Sequence, residues 1–183
     1  NEEDVRLSVP TTGLIAYYTF DSTTNDASGN GNTGVARNGI TYETSRFVKA
    51  AKFDGINDYF EVPKMNGFNS QLGSLSFHVK LPIATNDLTA MGKTIYLYAD
   101  DSKVNTANAY RFYVTIGYDG KLHFKNDGSS CTALLIDSST TLNWNANEWH
   151  HVVVMWSKDA KQQRLFIDGV DKTSVRQGAL CTS

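Results

Sequence analysis

Polar and apolar positions along this chain alternate with a period near two over short stretches, and helical spacing is nearly absent. Leu75, Phe77, Val79 and Leu81 are separated by Ser76, His78 and Lys80, the pattern of a strand with one buried face. Leu14-Ile15-Ala16-Tyr17-Tyr18-Thr19-Phe20 reads as a strand rich in aromatic and branched side chains. Ala51 to Phe53 and Tyr59 to Val62 flank the turn residues Asp54-Gly55-Ile56-Asn57-Asp58, which predicts a hairpin. Tyr110 to Tyr118 meets Lys121 to Lys125 across Asp119-Gly120, a second expected hairpin, and Leu134-Leu135-Ile136 is a short strand. Trp149 to Trp156 is apolar at successive positions, as in a strand covered on each side. Arg164 to Ile167 turns at Asp168-Gly169 into Val170. The stretch from Ile83 to Asp101 breaks the rhythm and predicts a long loop with one strand, Thr94 to Tyr98.

Asp-Gly pairs at 54, 119, 127 and 168 each lie beside a strand-like run, and both residues tolerate the positive φ of tight hairpins. About ten closely spaced strands imply an all-β fold, a two-sheet antiparallel sandwich. No internal repeat, low-complexity tract or linker interrupts it. The expected organisation is an N-terminal arm over residues 1–12 and one β-sandwich domain over 13–183.

Composition narrows the partners. A chain of 183 residues with 40% hydrophobic content can build a core without a metal or disulfide. A net charge of −2 leaves no electrostatic footprint for nucleic acid, and no apolar run approaches the roughly 18 residues a spanning helix needs, so neither nucleic-acid binding nor membrane insertion is expected. The chain opens on Asn1-Glu2-Glu3-Asp4 without an initiator Met, as expected of a processed or trimmed polypeptide. Cys131 and Cys181 are the candidates for a disulfide across a long loop, which favours an oxidising compartment; the alternative is two unrelated buried thiols. No Asn-x-Ser/Thr acceptor occurs.

Four segments in order resemble the concanavalin A-like, laminin G-like jelly-roll superfamily: Gly13 to Asp21, Asp26-Ala27-Ser28-Gly29-Asn30-Gly31-Asn32-Thr33-Gly34, Phe53 to Tyr59, and Trp149-His150-His151-Val152-Val153-Val154. Leu165-Phe166-Ile167-Asp168-Gly169-Val170 resembles the next strand and turn, so the likeness runs from about residue 13 to about 174. It implies the sandwich fold, which hosts lectins, glycan-binding modules, adhesins, glucanases and spacers alike. Members of the superfamily usually end on a further segment resembling Gly-x-Ile-Asp-Glu-Val-x-Ile-Tyr, and Val175 to Ser183 does not match it. The resemblance therefore implies an open sheet edge, filled by the N-terminal residues, by another chain, or by a part of the polypeptide beyond this sequence.

Candidate sites follow from chemistry. Asp21, Asn25, Asp26, Asn30 and Asn32 lie on a Gly-rich loop offering the carboxylate, amide and carbonyl oxygens that calcium takes. The resemblance also implies a structural calcium there, with a further ligand from the closing segment that this chain lacks. The competing reading is a hydrogen-bonded Asx turn without metal. Asp54, Asn57 and Asp58 read as a turn whose Asp caps its own backbone, and Asp100-Asp101 as a solvated loop tip. His150 and His151 have no metal-ligand partner at the right spacing and point to opposite faces of their strand, while His78 is expected to be exposed. Sugar recognition needs an aromatic platform beside hydrogen-bonding groups. The candidates are Tyr42, Tyr96, Tyr98, Tyr110 and above all Trp144, between two asparagines; Trp149 and Trp156 are expected in the core.

Glucanases of the superfamily carry alternating Glu and Asp on one strand; no Glu-x-Asp-x-x-Glu stretch occurs, nor a Gly-x-Ser-x-Gly elbow. The expectation is a secreted or cell-surface, non-catalytic module that binds a glycan or surface polymer, with calcium as its candidate cofactor. The alternative is a subunit of a surface filament or pilus whose open edge accepts a strand from another protein chain.

Overall fold

The computed structural model describes residues 11–69, 71–100, 111–127, 134–157, 159–160 and 162–177. Cys131, Cys181, Tyr110, Asp101 and the arm through Pro10 lie outside them. Chain contacts divide the molecule into two compact units, Asn1–Phe68 and Asn69–Ser183.

In the first unit, four short strands form two separate antiparallel pairs. β1 (Val35–Arg37) pairs with β4 (Tyr59–Glu61), and β2 (Thr41–Thr44) pairs with β3 (Lys49–Lys52). Phe60 packs edge-on against Tyr18 and Phe20, with ring centres 4.8 and 5.0 Å away. Gly34 makes this packing possible: a Cβ there would stand 2.0 Å from the Phe60 ring.

Two sequence expectations are corrected in this unit. Leu14 to Phe20 joins none of the described sheets. Much of its main chain is bound by loop residues instead: the Leu14 and Ile15 carbonyls accept the Asn30 amide, Ile15 also accepts the Asn32 amide, and the Tyr17 carbonyl accepts the Ala27 N–H. The second correction concerns the segments flanking Asp54–Asp58, which pair with different partners and do not form a hairpin. The Asp54 carboxylate accepts the N–H groups of Ile56, Asn57 and Asp58, so the turn closes on itself and sends its flanks apart.

The second unit is a two-sheet antiparallel sandwich. One sheet has the order β12-β11-β10-β5, built from β5 (Leu72–Lys80), β10 (Trp149–Ser157), β11 (Gln162–Ile167) and β12 (Val170–Asp171). The other has the order β13-β9-β8-β7-β6, with β6 (Ile95–Asp100), β7 (Arg111–Ile116), β8 (Leu122–Asp127), β9 (Leu134–Ser138) and β13 (Thr173–Gln177). The expected β7–β8 hairpin forms across Tyr118-Asp119-Gly120. β11 turns into β12 across Asp168 (φ 50°) and Gly169 (φ 78°), the two successive positive φ values of a tight hairpin turn. The stretch expected to be a loop after Ile83 contains a short helix, α1 (Thr85–Ala90).

The core lies between these sheets. Phe112, Val114, Ile116, Leu122, Phe124 and Ile136 of the five-stranded sheet are buried, as are Val152, Val154, Trp156, Leu165 and Ile167 of the other. Trp156 bridges the layers, its ring 4.7 Å from Phe112 and 6.1 Å from Phe124. Its cross-strand partner is Gly73, where a Cβ would stand 2.5 Å from the indole. Only a residue without a side chain lets the indole lie over β5.

Gln163 faces inward opposite Trp156, is 6% exposed, and neither its amide oxygen nor its amide nitrogen has a hydrogen-bond partner among the described residues. A buried amide left unbonded costs about 1–3 kcal/mol. Gln163→Leu is therefore expected to stabilise the protein by about 1 kcal/mol or more, seen as a higher urea midpoint at unchanged m-value; a lower midpoint would contradict this account.

Candidate functional site

The alternation along β10 assigns its residues to two faces. Val152, Val154 and Trp156 are buried inward, so Trp149, His151, Val153 and Met155 point outward. On β5, Ser74, Ser76 and His78 are exposed and share that outward face with Lys80. The register sets Lys80 opposite Trp149, His78 opposite His151, and Ser76 opposite Val153.

Three contacts organise this surface. The Lys80 ammonium lies 5.3 Å from the Trp149 ring centre, a cation–π approach. The His78 and His151 rings stack at 4.5 Å with 16° between their planes. His151 Nε2 is 2.8 Å from Ser76 Oγ, so imidazole and hydroxyl share a hydrogen bond. Further along, Met155 is 45% exposed, and the Arg164 guanidinium donates to Asp171 Oδ2 at 2.6 Å. The Thr173 hydroxyl and N–H, followed by Arg164, hold the Asp171 carboxyl below its usual range.

The face thus offers an indole plane, two imidazole edges, a hydroxyl and a cation. Among the described outward residues of these four strands, Asp171 is the one carboxylate, and Arg164 binds it. What this surface can supply is stacking and hydrogen bonding.

Trp144, the leading sugar-binding candidate from sequence, is corrected. It is 7% exposed, and its ring stacks on His150 at 4.1 Å and 8°. Its N–H donates to Thr85 Oγ1 and its carbonyl accepts the Thr85 N–H, which pins the loop to the start of α1. His150 Nδ1 lies 2.8 Å from Asp168 Oδ2, while Asp168 Oδ1 accepts the His151 N–H. Burial pushes the Asp168 carboxyl up, but these hydrogen bonds outweigh it and hold the group below its ordinary value. Conversely, Trp149, expected in the core, is half-buried on the outward face. The parity of β10 carried the signal, but apolar residues at both parities concealed which one faces the core. Tyr96 and Tyr98 belong to β6, and their side chains lie outside the described residues.

The loop set of the first unit is a hydrogen-bonded knot. Asp26 Oδ1 accepts the N–H groups of Tyr17 and Ser28, and Oδ2 accepts that of Asn32. Asn32 is 1% exposed; its amide donates to the Ile15 and Asn66 carbonyls while its Oδ1 accepts the Asn66 N–H. Asp26, Asn30 and Asn32 are therefore brought together. Asp21 is turned elsewhere, accepting the Lys49 N–H at 2.9 Å, and the Asn25 N–H donates to Thr23 Oγ1. Both Asp26 oxygens, Asn32 Oδ1 and Asp21 Oδ1 already accept hydrogen bonds.

A family model described as the concanavalin A-like lectin/glucanases superfamily matches residues 54–180. The chain also resembles the crystal structure of the binding domain of paraclostridial mosquitocidal protein 1, with a TM-score of 0.69 at 18% identity. That likeness covers 92% of this chain, which spans 44% of the other. No curated protein matches the chain.

Burial pushes the Asp26 carboxyl up, yet hydrogen bonds from Ser28 and from the N–H groups of Tyr17, Ser28 and Asn32 outweigh it and lower the pKa from 3.8 to about 2. Because the folded value lies below the unfolded one, the stabilisation is complete above pH 3.8 and disappears as the pH falls through about 2. The melting temperature should fall across that window, and Asp26→Asn should melt lower at pH 7 with a shallower fall. Parallel pH profiles of the two proteins would sink the assignment.

Proposed function

This chain belongs to the concanavalin A-like lectin/glucanase superfamily, and from that premise we propose that it is a non-catalytic domain, secreted or displayed at a cell surface, that binds a glycan or surface polymer. The observation carrying this reading is the outward face of the four-stranded sheet. Trp149 presents an aromatic plane beside Lys80, Ser76 and the stacked His78–His151 pair, with no pair of carboxylates among the described residues of that face. A sugar ring has an apolar face for the indole and hydroxyls for the imidazole, hydroxyl and ammonium groups. The binding-domain neighbour supports the same reading through its fold.

Calcium is the separate part of the proposal. Its candidate residues, Asp21, Asn25, Asp26, Asn30 and Asn32, already serve the knot in part through Asp26, Asn30 and Asn32. An ion would add to a loop that hydrogen bonds already hold.

A second reading has one observation in its favour. β5, nine residues long, is an edge strand of its sheet among the described strands. An unpaired edge can accept a strand from another protein chain, as in a filament. Size-exclusion chromatography separates the two: a monomer at all concentrations disfavours assembly.

The main proposal is tested on a glycan array followed by calorimetry on the best polysaccharide. Trp149→Ala is expected to weaken binding at least about tenfold while leaving the melting temperature within a few degrees, because the ring lies outside the core. Binding that survives this substitution would move the site elsewhere, and an array without a single ligand would defeat the glycan reading. Repeating the melt with a chelator addresses calcium: an unchanged melting temperature means that hydrogen bonds alone hold the loop.

A further inference from the structure

Charge on the outward face of the four-stranded sheet narrows the class of sugar it can take, an inference that rests on the glycan reading of that face. The described outward positions of β5, β10, β11 and β12 carry two cations, Lys80 and Arg164, and two imidazoles, His78 and His151, against one carboxylate, Asp171. Arg164 binds that carboxylate at 2.6 Å. Asp168, in the turn after β11, brings a second carboxylate near His151. One of its oxygens accepts the His151 N–H, and the other lies 2.8 Å from His150 Nδ1. Lys80, His78 and His151 thus form a basic strip along β5 and β10, beside the Trp149 indole.

We propose that the glycan is acidic: a polymer of uronic acid residues, one ring stacked on Trp149 and its carboxylates set against Lys80, His78 and Ser76. Placement is the first support. The register puts Lys80 in the row of Trp149 and the histidine pair in the next outward row, roughly 7 Å along the strands. A sugar on the indole has the ammonium at its edge, and the following residue of the polymer lies over the imidazoles. Carboxylates on successive residues match that succession of basic groups, and hydrogen bonds to a charged acceptor are about twice as strong as neutral ones. One lysine with two imidazoles suits a singly charged, planar carboxylate; a dense polysulfate calls for a cluster of permanent cations.

The second support is the hydrogen bond between His151 Nε2 and Ser76 Oγ, at 2.8 Å. Both ring nitrogens of a protonated imidazole donate. A proton on His151 therefore makes Ser76 Oγ the acceptor and turns its O–H outward, where it can donate to an anion. The His78 ring, stacked at 4.5 Å, works against double protonation, because two imidazolium charges so close repel. Lys80 adds to that repulsion, Asp168 reduces it, and Arg164 and Asp171 offset each other. A sugar carboxylate lying across the pair supplies the missing negative charge. Binding of an acidic sugar thus draws protons onto the pair, and histidine is the side chain that changes charge between about pH 5 and 8.

Calorimetry on the intact protein compares galacturonan and alginate, each with its own methyl ester, which keeps the backbone and removes the charge. The acid form of at least one is expected to bind about tenfold or more tightly than its ester, and more weakly as salt rises. Lys80→Gln and His78→Gln should each cut that preference to about threefold or less while leaving the affinity for the ester within about twofold. Titrations in buffers of different ionisation enthalpy should show net proton uptake at pH 7 with the acid and none with the ester. If a variant fails to fold by circular dichroism, the acid–ester comparison and the proton uptake of the unaltered protein decide. Equal affinity for acid and ester, both lost on Trp149→Ala, overturns the acidic class and leaves the glycan reading standing. So does affinity for neither acid while a neutral polysaccharide or a sulfated galactan binds through Trp149. A preference for the acid that survives Lys80→Gln, or that brings no proton uptake, also overturns the proposal, since the charge is then read elsewhere.

Discussion

The larger unit depends on the register of one strand. β10 lies between β5 and β11, hydrogen-bonded along its length, and the side-chain period of two commits alternate residues to opposite surfaces. In the observed register Val152, Val154 and Trp156 fill the core while Trp149, His151 and Met155 meet solvent. A slip of one residue would exchange the two sets, exposing the indole that joins the sheets and burying the His151 imidazole. Gly73 helps to hold that register, because it is the cross-strand neighbour that leaves space for Trp156.

The smaller unit is held by different physics. Its ladders are only three or four residues long, and Asn and Asp side chains supply many of the main-chain hydrogen bonds. Asp26 gathers the 14–32 region and Asp54 closes its turn, each carboxylate accepting three backbone N–H groups. For Asp54 the Ile56 N–H is the foremost cause that holds its carboxyl below the ordinary value. Short polar side chains can take main-chain partners that would otherwise serve a sheet. This explains why an aromatic-rich run such as Leu14 to Phe20 need not join a ladder.

These two modes of construction bear on function. The sandwich leaves an indole and two imidazoles outside, on rigid neighbouring strands, where an apolar ring face and hydrogen-bonding groups are offered together. His150 takes the opposite direction, into contact with Trp144 and Asp168, and so ties the 144 loop and the β11–β12 turn to the sheet. Adjacent histidines in one strand thereby divide the tasks of presenting a surface and bracing a turn.

Most strand runs of the larger unit, the turns at Asp119-Gly120 and Asp168-Gly169, and the all-β class were legible in the sequence, because period and positive-φ turn chemistry are local properties. The division of His150 and His151 between faces was legible for the same reason. Local pattern could not tell which tryptophan meets solvent: Trp144 sits among asparagines yet is covered by His150 and its own pinned loop, and Trp149 sits in an apolar run yet faces outward. Nor could it unite His123 with Asp137, whose meeting requires the β8–β9 pairing. Burial and cross-strand contact depend on which strands become neighbours, and that choice belongs to the chain as a whole.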